Sequence, residues 1–268
     1  MDLGGPDQRS VLASTRDGSL LLVTLPTPGA ASPAAVQVEP LADCHTGAIV
    51  GLAAMPGCDG KLLSTGAEGS LRLWDAAGGG QICARRDFPH SQTTSLAACV
   101  QRSLAAVGSR CGVLRLVSTA SGGGQLPTVW RARLGPGPLS RLAFSPGGDL
   151  LAVVCSTVQG PVCGGGQRSG GDSSSGSAAG NSKVATPRAG GSKAATPRAG
   201  ATKQPGDRVA WLLIGGGGGP AKLLGYADCG GKVMSMCWLP QAAPSGGGQP
   251  QLLVSLSSGM LTAFTAPS

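Results

Sequence analysis

Ile49, Thr94 and Leu139 each lie at the head of an apolar run, and they stand 45 residues apart. This period constrains the chain more than any other feature, because a repeated unit too small to close its own core must stack on its copies. Within each period the apolar runs are short and bounded by Gly, Asp, Ser or Pro. Helices need roughly ten or more residues and are broken by such punctuation, so the runs predict strands. The fullest unit runs IVGLAAMP, KLLSTG, SLRLWD and QICARRD, and the next runs TTSLAACV, SLAAVGS, VLRLVST and PTVWRAR. A third begins LSRLAFSPGGDLLAVVCS, is interrupted, and resumes with RVAWLLI and AKLLGYAD. A fourth passes through KVMSMCWLP and QLLVSLSSG to MLTAFTAPS. Ahead of them all, VLASTRDGSLLLVTL matches the middle two runs of the unit and AAVQVEP its last.

Four short strands per period of ~45 residues predict a radial array of small antiparallel sheets. The residues also carry a family signature. His45 precedes the first strand of the fullest unit, LLSTGAEGSLRLWD spans its second and third strands, and Trp74-Asp75 ends the third. LAFSPGGDLLAVV, residues 142–154, has the same first-strand, Ser-Pro turn, second-strand layout. In these features the chain resembles the WD-repeat family. The resemblance implies an all-β fold, a β-propeller of four-stranded antiparallel blades, here about five blades or an incomplete arc of a larger propeller. Residues 9–159 and 208–268 are the expected blade regions, and residues 160–207 a disordered basic insertion between the second and third strands of one blade. The first unit is expected to lack its innermost strand and the last its outermost.

In that family a histidine, a Ser or Thr of the second strand, an acid in the following turn and the Trp form a buried hydrogen-bonded clamp. Carried over, those roles fall to His45, Thr65 or Ser64, Glu68 and Trp74, with Glu68 one methylene longer than the usual Asp. A hydrolase triad uses the same residue types. Against it, the chain has no strand-to-helix GxSxG elbow, and its other histidine, His90, lies one period later at the same repeat position. In that next unit Val117 replaces the Trp and Cys111 stands near the acidic position, so the clamp is expected to be lost there. No catalytic residue, cofactor or metal site is expected. Cys155 and Cys163 are too far apart for a zinc pair, and GGGGGPAK at residues 215–222 lacks the GK[ST] ending of a phosphate loop. The chain holds nine cysteines and no CxxC, so most read as small buried hydrophobes.

The formal net charge is +8, and residues 160–207 carry six basic against two acidic residues, so half of the excess sits there. Gly, Ser, Ala and Pro dominate that segment, which includes the near-duplicates KVATPRAG and KAATPRAG. The segment reads either as a neutral expansion of a surface loop, tolerated because closure cost grows slowly with length, or as a basic arm whose Lys183, Arg188, Lys193, Arg198 and Lys203 would contact an acidic surface such as tubulin tails or nucleic acid. Thr186 and Thr196, each followed by Pro, are the expected phosphorylation sites that would oppose such contacts. The expected role is a noncatalytic scaffold for other proteins, within a larger cytoskeletal, ciliary or centriolar assembly. The alternative is a propeller that binds nucleic acid or ribonucleoprotein through the insertion. Apolar runs fall short of the ~20 residues of a membrane span, and the N-terminus lacks a signal pattern. A cytoplasmic chain without membrane contact is therefore expected.

Overall fold

Middle strands of Leu, Val and Ala and outer strands of alternating polarity account for the architecture. The computed structural model describes residues 9–25, 36–41, 45–55, 61–75, 81–89, 91–120, 125–157, 206–215, 220–240 and 249–267. Among them are eighteen strands in five antiparallel sheets, and no helix. The first sheet holds β1 (Arg9–Ser14), β2 (Leu20–Leu25) and β3 (Gln37–Pro40). The second holds β4 (Ile49–Ala54), β5 (Lys61–Gly66), β6 (Ser70–Asp75) and β7 (Gln81–Asp87). The third holds β8 (Thr93–Cys99), β9 (Leu104–Ser109), β10 (Val113–Ser118) and β11 (Thr128–Arg133). The fourth holds β12 (Leu139–Phe144), β13 (Leu150–Cys155), β14 (Arg208–Leu213) and β15 (Lys222–Asp228). The fifth holds β16 (Val233–Trp238), β17 (Gln251–Leu256) and β18 (Leu261–Thr265). Strands pair in chain order, so each sheet is a blade made by a simple meander. All strands belong to one compact unit, Met1–Val162 with Pro205–Ser268; the remaining span, Cys163–Gln204, lies outside the described residues.

Burial follows position in the blade. β9 and β13 are buried at every residue, because their two faces are covered by two different neighbours. Along β13, Leu151 and Val153 pack against Leu114 and Leu116 of the third blade. The alternate residues Leu150, Ala152 and Val154 pack with Leu252 and Val254 of the fifth. Trp211 and Trp238 meet edge to face across that second interface, 5.8 Å apart. The fourth strand β11 alternates half-buried with exposed, since only one of its faces meets a neighbour. Innermost strands pack in succession, β4 on β8, β8 on β12 and β12 on β16.

Two irregularities recur with the period. Each of β4, β8, β12 and β16 carries a register shift after its first residue, and β6, β10 and β14 each carry one against their fourth-strand partner. Bulges of this kind add local twist, and here they recur at the same strand positions, the first in the second to fifth blades and the other in the second to fourth. The turn between second and third strands ends on a left-handed glycine in four blades: Gly18, Gly69, Gly112 and Gly259. In the fourth blade this turn is replaced by the chain between Thr157 and Gly206, whose ends are joined by a bond from Thr157 Oγ1 to the Gly206 carbonyl at 3.2 Å. Asp207 beyond it is buried and accepts the Val233 amide at 2.8 Å, tying the fourth blade to the fifth.

Among the described residues the end blades hold three strands each, and the repeat features identify which. Gly18 sits between β1 and β2, so the first blade has its second, third and fourth strands; the register shift in β16 marks the last blade's first strand. At the outer end, Met260 and Leu261 are 61% and 66% exposed.

The turn glycine gives a sharp test. Gly112 has φ of +73°, its carbonyl accepts the Leu134 amide, and a Cβ there would meet the Gly135 carbonyl. Gly225 in β15 has no atom within 4 Å of an added Cβ. Gly112→Ala should lower unfolding stability by at least about 2 kcal/mol in urea titrations, whereas Gly225→Ala should change it by less than about 1 kcal/mol.

Candidate functional site

The second blade holds a connected set of polar side chains around His45, Ser64, Ser70 and Trp74. Strand alternation sends Leu62, Ser64 and Trp74 toward the first blade, and Leu63 and Thr65 toward the third. Trp74 is fully buried among Leu20, Leu41 and Leu62, so its indole N–H needs an internal acceptor. It donates to Ser64 Oγ at 2.8 Å. Ser64 Oγ lies 2.6 Å from His45 Nε2, and His45 Nδ1 lies 2.6 Å from Glu68 Oε1 and 2.9 Å from Ser70 Oγ. Ser70 Oγ donates to the same Glu68 oxygen at 2.5 Å.

Donor counting selects one tautomer. A carboxylate only accepts, so His45 Nδ1 must carry the proton and donate to Glu68. Nε2 is then an acceptor and takes the Ser64 hydroxyl proton. Ser64 is left with lone pairs for the Trp74 N–H, and the chain Trp74 to Ser64 to His45 to Glu68 closes with each of these hydrogens used. Glu68 reaches His45 because Gly66 has no side chain: a Cβ there would meet the Glu68 carboxylate.

Electrostatics agree with this assignment. Burial holds the His45 pKa below the ordinary 6.5, outweighing the opposing pull of Glu68, so the ring is neutral at pH 7. For Glu68 burial acts upward, but hydrogen bonds from Ser70 and His45 together hold its carboxyl below the usual 4.5. Both of His45's ring nitrogens are committed inside the blade and its side chain is 0% exposed, which leaves neither nitrogen for a substrate. The triad arrangement therefore has no accessible base.

Of the two residues weighed for the second-strand role, Ser64 stands in the chain of bonds and Thr65 does not. Thr65 Oγ1 donates to the Ser70 carbonyl at 2.8 Å and sits 3.1 Å from Thr93 Oγ1 on β8. Ser70 was not singled out in the sequence, although it follows the turn glycine directly. In the third blade Val107 and Val117 occupy the positions of Ser64 and Trp74, and both are buried in the apolar cluster shared with the second blade. Apolar packing there replaces the polar chain.

Cys155 is buried, which pushes its thiol up to about 12, and Cys229 is pushed up to about 11 by the same cause. Neither is a thiolate near neutral pH. Among the described residues no group of three or more His, Cys, Asp or Glu side chains is placed to hold a metal, and no helix is long and apolar enough to cross a membrane. Lys183, Arg188, Lys193, Arg198 and Lys203, with Thr186 and Thr196, lie outside the described residues, as do His90 and Cys163.

No family model matches the chain. It is 35% identical over 163 residues to cilia- and flagella-associated protein 43 of Chlamydomonas reinhardtii, a match covering 56% of this chain and 9% of that protein. Among solved structures it is similar to Sqt1 of Saccharomyces cerevisiae, with a TM-score of 0.63, 14% identity, and coverage of 98% of this chain and 57% of that one. Chaetomium thermophilum Sqt1 bound to the N-terminus of ribosomal protein L10 gives 0.63 with 17% identity over 97% of this chain and 56% of that one. A chain of the mitotic checkpoint complex gives 0.57 with 12% identity, covering 97% of this chain and 60% of that one.

Removing the shared hydroxyl should uncouple the buried groups. Ser64→Ala strands both the Trp74 N–H and His45 Nε2 and should cost about 2–4 kcal/mol in urea unfolding, whereas Thr65→Ser, which keeps its hydroxyl, should cost less than about 1.5 kcal/mol. Acid should act on the same groups. Both folded pKa values are depressed, so their stabilisation is full above pH 6.5, begins to fall below it as His45 would protonate, and falls further below 4.5 through Glu68. Thermal melts should show that loss and a smaller one in His45→Gln. Five meandering sheets with innermost strands packed in succession match the overall fold of the solved neighbours: the chain has the fold of the WD-repeat β-propellers.

Proposed function

We propose that this chain is a noncatalytic protein–protein interaction scaffold of the WD-repeat type, working as part of a larger ciliary or other microtubule-associated assembly. One observation carries the ciliary assignment, the 35% identity over 163 residues to cilia- and flagella-associated protein 43. The noncatalytic part is supported by His45, whose ring nitrogens are both engaged within the blade. Rigid blades that present loops at their ends suit docking, because binding residues on loops are held by a fixed frame. Residues 160–207 are assigned an auxiliary role. Their six cations would attract acidic tubulin tails, and phosphate on Thr186 or Thr196 would weaken that attraction by adding about two negative charges each. The stem formed by Thr157 and Gly206 supports such a role, since it holds the blade together independently of what the segment binds. The corresponding location is the cytoplasm, at the cilium.

Affinity capture from ciliated cells tests the proposal, using the full chain and a form lacking residues 160–207. The expected outcome is recovery of axonemal proteins by the full chain, with tubulin lost from the shortened form. Recovery of RNA and ribonucleoproteins in place of axonemal proteins, released by raising salt, would contradict it.

A further inference from the structure

The outer part of the interface between the second and third blades is lined by arginines. Strand register places Arg86 beside Leu71, and Arg115 beside both Arg131 and Val107, with Arg133 on the same face of β11. Leu71 and Val107 belong to the apolar cluster these two blades share, so the four arginines spring from facing sheet surfaces. Arg115 is 8% exposed; its Nη1 donates to Ser91 Oγ at 3.1 Å and its guanidinium lies 4.8 Å from the Phe88 ring centroid. Arg86, Arg131 and Arg133 are exposed around it.

Among the described residues no carboxylate is paired with this cluster. Among the described residues the ion pairs are His45–Glu68, Arg85–Asp87, Arg102–Asp149 and Arg208–Asp228, and none uses any of the four. Asp87 is no exception, because on β7 it pairs with Ser70 of β6 and lies on the face opposite Arg86. Burial first, and then the charges of Arg131 and Arg86, lower the pKa of Arg115, while Cys111 acts in the opposite direction. The guanidinium stays charged all the same. A buried cation crowded by like charges is costly, and an anion brought from outside relieves that cost.

We infer that this arginine-lined seam is a docking site for an extended acidic segment of a partner protein, whose Asp or Glu carboxylates engage Arg86, Arg131 and Arg133 in front of Arg115. The inference rests on the scaffold role proposed above and names the chemistry of one partner. Arg131 and Arg133 alternate along a strand, about 7 Å apart, and alternate residues of an extended peptide repeat at the same distance. Guanidinium forks match carboxylates in a bidentate manner. Phe88 is buried beneath Arg115, so it offers no open face on which a nucleic-acid base would stack. The seam is distinct from residues 160–207 and uses none of their cations.

The test uses the full chain and a fluorescein-labelled peptide of five Glu-Ser repeats, followed by anisotropy at about 50 mM and about 300 mM salt. The expected result is saturable binding that weakens with salt. It should fall about tenfold or more in Arg131→Gln/Arg133→Gln and stay unchanged in Arg16→Gln, an exposed arginine of the first blade, with circular dichroism confirming that each variant is folded. Absence of binding, or equal binding by the double variant, would overturn the proposal. So would a deoxythymidine decamer that binds at least as tightly with the same arginine dependence. None of these failures touches the capture of axonemal proteins, so a failure of the seam is distinguishable from a failure of the scaffold role on which it rests.

Discussion

Burial of the middle strands on both faces is the constraint from which the rest follows. β9 and β13 are buried at every residue, and β5 at every residue but its first. No isolated blade can satisfy such strands; each needs a neighbour on either side. Apolar residues meet this demand through packing alone, as Val107 and Val117 do in the third blade. Polar residues in the same layer must find partners within it, because water is excluded and an orphaned donor costs ~1–3 kcal/mol. The chain of bonds from Trp74 to Glu68 is the second blade's answer. Its geometry explains why a histidine, a serine and an acid in proximity form an internal support and not a reactive site.

The same constraint locates variation. A turn between second and third strands projects beyond the two-sided layer, and at Gly18, Gly69 and Gly112 it closes with a left-handed glycine against the connection that leads to the next blade. The fourth blade instead carries the long segment between Thr157 and Gly206. Loop closure costs grow slowly with length, so extra chain is tolerated where the strand ends are already fastened. Cys155 still pairs with Arg208, and Asp207 still reaches the next blade through the Val233 amide. The partner contacts proposed above call on that segment and on the arginines between the second and third blades, and on no residue of the two-sided layer except Arg115.

Much of the architecture was legible in the spacing of short apolar runs. The strands and the unequal end blades follow from the 45-residue step and from the turn residues. The choice between Ser64 and Thr65 was not legible, because one position along a strand reverses the face presented. The register shift at Leu73 and Trp74 further breaks simple counting. Ser70 was missed since its side chain acts through Glu68 two residues away. Asp207 was grouped with the low-complexity segment that precedes it, and only its buried contact with Val233 identifies it as part of a blade. The arginine seam could not be read from a single repeat, because it exists only where two blades face each other.

The central claim is that Trp74, Ser64, His45, Ser70 and Glu68 satisfy one another's hydrogen bonds within the second blade. Nitrogen-15 NMR of the imidazole of His45 in the full chain tests it most directly. A neutral ring with the proton on Nδ1, Nε2 shifted as a hydrogen-bond acceptor, and protonation only at pH below 6.5 is the predicted result. A ring that titrates freely at its ordinary pKa, or that carries its proton on Nε2, would contradict it.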